Sequence, residues 1–326
     1  ALLGVMASSR QVIRTIDLPN QQEGVTRPLT VLKKEIRKEL AQIWTEDIQA
    51  ISKDRLAEAL KGIDTTKSEH PFHAWQSNQL DETAEALRIE HERRVTFNRK
   101  NFEVFGNFTS KHCENTGWGF EGLAIEEGFV SDGDFSILPK GDNVLHKVLP
   151  AGFYSHSLSQ KFNAALRSPL LPEDKRYLSY QSVGERGSVC RTIIANCTLP
   201  YFHTNRFNSP KLSWHKVGLE HLRTSPLVRL RTYVEWATVL DDQGYPVLNM
   251  PQVEYHKTLN DPRSYFGLTK VFAHDVNQAP FEELEAQLLV FNSPITSNDS
   301  LVHRYREILQ NAVNRWSRGL ANASDV

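Results

Sequence analysis

Arg229-Leu230-Arg231-Thr232-Tyr233-Val234-Glu235-Trp236 alternates without a break between one set of side chains and another. A period of two places successive side chains on opposite faces of a strand. The stretch therefore predicts a β-strand with one face buried and the other wet. Working outward, similar short runs occur at 102–108, 134–138, 144–149, 177–183, 191–195, 214–217 and 228–240. Turn chemistry separates them: Ser131-Asp132-Gly133-Asp134, Pro139-Lys140-Gly141-Asp142-Asn143, Pro150-Ala151-Gly152 and Asp241-Asp242-Gln243-Gly244. Strands at this spacing with no long helix between them predict an antiparallel sandwich rather than a parallel sheet.

Both sides of this region read as helix. After Pro28, placed as a first-turn proline, Leu29, Leu32, Ile36, Leu40, Ile43, Ile51, Leu56 and Leu60 recur at roughly helical spacing. Gly62 is the expected stop. A second helical stretch covers about 81–94. Near the other end, a short helix is expected after Pro280. A clearer one runs from about 299 to 320 and is capped by Ser297 or Asn298. The expected fold class is α+β: a jelly-roll-like antiparallel β-sandwich over 101–256, a helical flank over 1–100 and a C-terminal helical segment over 257–326. The amphipathic flanks need partners, either one another or the sandwich.

Composition sets bounds on function. The chain has 326 residues, is 40% hydrophobic and 24% charged, and carries a formal net charge of −1. No long-range field recruits nucleic acid. No apolar run reaches the roughly 18 residues of a membrane span. The chain begins Ala1-Leu2-Leu3 without Met, and both ends read as cuts through a longer chain. Its three cysteines, Cys113, Cys190 and Cys197, form no Cys-x-x-Cys or haem-attachment motif, so no haem is expected within this piece. Cys190 and Cys197 are open to two readings, a pair on neighbouring strands or buried free thiols.

The chemistry-bearing motifs are sparse. Gly-x-Ser-x-Gly is absent. In Ser155-His156-Ser157, adjacent strand residues point to opposite faces, so adjacency makes no dyad. His70 and His73 have a metal-ligand spacing, but Pro71 breaks the helix that would align them, and a structural loop packing Phe72 and Trp75 is the expectation. His215 and His221 carry no ligand spacing. Asp132, Asp134 and Asp142 lie in acidic turns of the kind that supply hard oxygen ligands to calcium, or that simply make turns. Trp118, Tyr154, His156, Arg167, Arg186 and Arg191 combine aromatic platforms with planar donors, as a glycan-binding cleft requires. The expectation is one polar cleft with Arg167, Arg191 and His156 near Trp118 or Tyr154. Glu121, Glu126, Glu127 and Asp132 are the carboxylates available to a hydrolase.

Gly128-Phe129-Val130-Ser131-Asp132-Gly133-Asp134-Phe135-Ser136, then Pro150-Ala151-Gly152-Phe153-Tyr154-Ser155-His156-Ser157-Leu158-Ser159, Ala165-Leu166-Arg167-Ser168-Pro169 and Val189-Cys190-Arg191-Thr192-Ile193-Ile194-Ala195-Asn196-Cys197 follow in order. This series resembles the middle of large planctomycete envelope proteins. In that family a c-type cytochrome domain and helical domains of unknown function flank a sandwich. His70-Pro71-Phe72-His73-Ala74-Trp75 looks like the family's linker, and Tyr265-Phe266-Gly267-Leu268-Thr269-Lys270-Val271 like the return into its C-terminal helical domain. The resemblance implies a sandwich similar to galactose-binding-like modules, a periplasmic, envelope or secreted location, and other domains of the same parent chain as partners. Three classes of function follow: a non-catalytic carbohydrate-binding module whose partner is a polysaccharide, a scaffold that positions neighbouring domains, or a hydrolase acting on polysaccharide.

Overall fold

A computed structural model describes residues 19–67, 70, 72, 73, 75, 80–109, 117–137, 144–160, 162–185, 188–194, 204–220, 232–238 and 264–326. The chain divides into two compact units. One is built on Phe102–Ala279, and the other joins Val31–Asn101 to Pro280–Val326.

The first unit is the expected antiparallel sandwich with helical segments on both sides of it in the sequence. Its strands are β1 (Phe102–Asn107), β2 (Gly119–Glu121), β3 (Phe129–Val130), β4 (Asp134–Ile137), β5 (Leu145–Leu149), β6 (Gly152–Tyr154), β7 (Ala165–Arg167), β8 (Tyr177–Glu185), β9 (Val189–Ile193), β10 (Thr204–Arg206), β11 (Ser209–Gly218), β12 (Tyr233–Ala237) and β13 (Tyr265–His274). One sheet runs β11-β8-β13-β6-β3, with β1 also on β13; the other runs β10-β9-β12-β7-β2. Every pairing among the described residues is antiparallel. β4 and β5 form a separate hairpin.

Alternation decides which side chains fill the space between the sheets. Leu178, Tyr180, Phe153, Phe266 and Leu268 come from the six-stranded sheet, and Leu166, Cys190, Val234 and Trp236 from the five-stranded one; together with Phe108 and Trp118 they make one core. Tyr180 meets Trp236 edge-on at 5.4 Å, and Trp236 stacks on Trp118 at 5.7 Å. Large rings account for much of the area that such a core removes from water. Cys190 carries a buried free thiol; Cys113 and Cys197 lie outside the described residues.

Three expectations change. β13 lies beyond the expected sandwich limit of residue 256, yet it pairs with β8, β6 and β1. This central strand is buried at every position but Lys270 and Phe272, and so lacks the regular alternation that reveals an edge or half-wet strand. β12 is buried along its whole length, so neither face of the 233–236 stretch is wet. Pro28 lies inside helix α1 (Pro19–Gln49) rather than in its first turn.

In the second unit, α2 (Lys53–Ala59) and α3 (Leu80–Asn101) are followed, beyond the sandwich strands and the four-residue α4 (Ile125–Gly128) of the first unit, by α5 (Glu285–Leu288) and α6 (Asn298–Ser317). Leu60, Phe72, Ala84, Leu87, Leu284, Val290, Phe291, Ile295 and Leu301 share a core, so the two flanks pack on each other. Ser297 caps α6 by accepting from the Ser300 amide, and its own amide donates to Ser300 Oγ. Trp316 sits against Trp44 at 4.6 Å, and Arg37 donates to its carbonyl.

Candidate functional site

The expected cleft residues fall in three separate places. β12 lies between β7 and β9, with Glu235 opposite Arg167 on one side and Arg191 on the other. Leu166, Val234 and Cys190 point into the core, so Arg167, Glu235 and Arg191 occupy the outer face of the five-stranded sheet. Arg167 donates from Nε to Glu235 Oε2 at 2.6 Å, and from Nη1 and Nη2 to Glu121 at 2.9 and 2.7 Å. Arg191 donates from Nε to Glu235 Oε1 at 2.9 Å, and also from Nη2. Two guanidinium groups and two carboxylates thus neutralise one another in a buried row. The forks that would bridge sugar hydroxyls are spent on Glu121 and Glu235.

Tyr154 and His156 lie on the outer side of the other sheet. Tyr154 clusters with Val130, Leu149, Val183 and Tyr265. The His156 ring lies 4.0 Å from that of Tyr265, and His146 from the hairpin closes over both. The gap lined by these residues, Leu212 and Pro210 is about 10 Å³, room for one water and no sugar. The Tyr154 hydroxyl is buried and has no hydrogen-bond partner among the described residues. Burial, with the Asp132 carboxylate second, pushes its pKa above the ordinary tyrosine range. Trp118 lies between the sheets, edge-on to Phe108 at 4.8 Å. Arg186 lies outside the described residues.

The other expected groups are occupied locally. Asp132 Oδ1 accepts from the Ala151 amide at 2.8 Å, and Asp134 Oδ1 from the Phe135 amide. Asp142 lies outside the described residues, and no group of three metal-ligating side chains occurs among the described ones. Ser155 Oγ accepts from the Phe266 amide, and Ser157 donates to the Glu127 carbonyl. Glu126 and Glu127 are exposed on α4. His70 Nδ1 accepts from the Phe72 amide and His73 bonds the Thr65 carbonyl, so both serve the loop that buries Phe72. His215 stacks on Tyr180 at 5.3 Å; His221 lies outside the described residues.

A different surface combines rings with polar groups. On the six-stranded sheet, away from the hairpin, Trp214 faces Gln181, Lys216 faces Ser179, Ser179 faces Phe272, Phe272 faces Val104, and Tyr177 and Phe102 flank His274. All lie at outward positions, since Tyr180, Val271 and Ala273 between them point into the core. Trp214 and Phe272 rings are 5.5 Å apart, Phe272 and Phe102 5.9 Å, and Tyr177 stacks on His274 at 5.6 Å. Trp214, Phe272, Phe102 and Tyr177 are partly open to solvent, and Val104 is 62% exposed. The rows from Trp214 to Gly218 span roughly 13 Å at a strand's rise per residue.

The strip rests on a polar floor. Ser179 Oγ lies 2.8 Å from His274 Nε2, and His274 Nδ1 lies 2.9 Å from the Val276 carbonyl. A carbonyl only accepts, so Nδ1 carries the proton and Nε2 accepts from the Ser179 hydroxyl. Burial lowers the His274 pKa and favours this neutral form. Ser179 is completely buried, so the pair locks the ring of His274 and offers no accessible nucleophile. No single strand carries this strip: it is assembled by the lateral register of 177–181, 214–216 and 270–274, the last of which lies in a segment expected to be helical.

No protein-family model matches the chain, and no curated protein does. Among solved structures, the chain is similar to the K2 cleaved adhesin domain of Lys-gingipain at 12% identity, over 53% of this chain and 97% of that one, with a TM-score of 0.26.

Proposed function

We propose that the sandwich is a non-catalytic carbohydrate-binding module of a larger envelope or secreted protein, and that its ligand lies on the strip of Trp214, Phe272, Tyr177 and Phe102. The observation that supports this reading is a row of part-exposed rings on one sheet face, edged by Lys216 and Gln181. Sugar rings have apolar faces that stack on aromatic rings and hydroxyls that bond to the polar edge. The Arg167–Glu235–Arg191 row is then a structural element, and neither it nor the Tyr154 cluster is the ligand site.

Retention of the chain on a panel of immobilised polysaccharides tests the reading. Wild type is retained, whereas Trp214→Ala with Phe272→Ala is not and still melts within a few degrees of wild type. Retention of the double variant removes the ligand from this strip. If wild type is retained on no polysaccharide, a scaffold takes the place of a binding module; the self-neutralised ion row, buried on a sheet face, favours that second reading.

A further inference from the structure

We propose that the polysaccharide taken by this strip is anionic, a chain of sugars bearing carboxylate or sulfate groups. The inference rests on the reading that the strip binds a glycan. It follows from which polar groups on the face are still available to a ligand.

Three of the acceptors at the strip are already engaged. Gln181 Oε1 accepts a 2.6 Å bond from Thr269, and Asn277 Oδ1 accepts from Lys216. Ser179 is paired with His274 and buried beneath the rings. The cations are exposed. Lys216 stands over the Tyr177 ring, its Nζ 4.8 Å from the centroid. Lys270 lies two residues from Phe272 on the same strand and is exposed. An ammonium has three donors and no acceptor, and one bond to Asn277 leaves two donors at Lys216.

No carboxylate stands at the outward positions among Phe102, Val104, Tyr177, Ser179, Gln181, Trp214, Lys216, Lys270, Phe272 and His274. At the same end of the sheet, Glu103 pairs with Lys175 at 2.9 Å, and Asp275 accepts from the Arg176 amide. Among the described residues the outward positions of this face therefore carry two exposed ammonium groups and no carboxylate, on a chain whose net charge is −1. The hydroxyl oxygens of a neutral sugar can accept from the ammonium groups but bring no charge to them, and their O–H donors meet no carboxylate at these positions. An anionic sugar supplies acceptors and charge to the ammonium groups, while its ring still stacks.

The test compares matched polymers on the intact chain. Polygalacturonate is set against its methyl-esterified form, and dextran sulfate against dextran, by affinity electrophoresis or titration calorimetry. Tenfold or tighter binding of at least one charged polymer over its neutral counterpart is expected, weakening as salt rises and shortens the screening length. The pair that shows the preference tells carboxylate from sulfate. Lys216→Gln and Lys270→Gln each weaken binding about threefold, the size of an exposed charge contact, with the melting temperature unchanged. Trp214→Ala with Phe272→Ala abolishes binding to charged and neutral forms alike. Equal, salt-independent binding of charged and neutral polymers overturns the anionic preference and leaves the glycan face standing. Binding to no polymer overturns the glycan reading itself. Charged-polymer binding that survives loss of the rings but not of the lysines is plain ion exchange and overturns the ring-and-cation site.

Discussion

Glu235 Oε2 accepts a 2.6 Å hydrogen bond from Nε of Arg167, its direct neighbour across the β7–β12 ladder. Both side chains are more than nine-tenths buried. Removing one member of such a pair strands charge in a low-dielectric environment, and here Arg167 serves Glu121 as well. Arg167→Met is expected to cost about 3–5 kcal/mol. Arg167→Lys keeps the charge but loses the fork, and recovers only part of that. Urea denaturation measures both. A wild-type midpoint for Arg167→Met would show the row to be dispensable.

The sheet position beside Tyr154 at Gly267 tolerates no added volume. A Cβ at Gly267 would lie 2.2 Å from Tyr154 Cδ1 and 2.9 Å from Val183 Cγ1. Gly267→Ala is expected to destabilise by about 1–3 kcal/mol through overpacking. Gly24, inside α1, has nothing within 4 Å of such an atom. Gly24→Ala should stabilise by about 0.5–1 kcal/mol, since glycine is a poor helix residue. Melting curves of the two variants should therefore shift in opposite directions.

Acidification through the histidine range should weaken the sandwich. Burial is the main cause that lowers the pKa of His146, His215 and His274 below 6.5. Below that value the unfolded chain takes up protons that the native fold resists. Stability therefore falls as pH drops from about 6.5 towards the lowered native values, and is steady above it. Urea midpoints at pH 7.5 and 5.5 should differ in that direction. His215→Phe, placed between Tyr180 and Phe207, should reduce the slope. A midpoint that is flat across the window would contradict the assignment.

Cys190 should be inert while the protein is folded. It is buried in the core, and burial pushes its thiol pKa up to about 12. Only the thiolate reacts appreciably with alkylating agents. Iodoacetamide at pH 8, followed by peptide mass mapping, should leave Cys190 unmodified in buffer and modify it in denaturing urea. Rapid native labelling would mean that the sheets separate locally.

Sequence alone determined the parts of this protein that depend on local period and turn chemistry. The runs at 102–107, 134–137, 145–149 and 177–185 are strands within a residue or two of their expected limits. α6 is capped by Ser297, and the helical flanks found their partners in each other. The expected strand runs contained Glu235 and Arg191 but not Arg167 of β7, and nothing in them said that all three share one row. Register between strands distant in sequence is set by how whole faces pack, and a one-residue slip would exchange the faces. The same limit hid β13, a central strand buried at every position but Lys270 and Phe272, which leaves little alternation to read. It also hid the strip of Trp214, Phe272 and Tyr177, assembled from three strands 37 to 95 residues apart. Only the tertiary structure decided that the arginines neutralise carboxylates and that the rings face outward. Pairing a charge internally or presenting it to a ligand depends on what lies across the ladder, and no single strand carries that information.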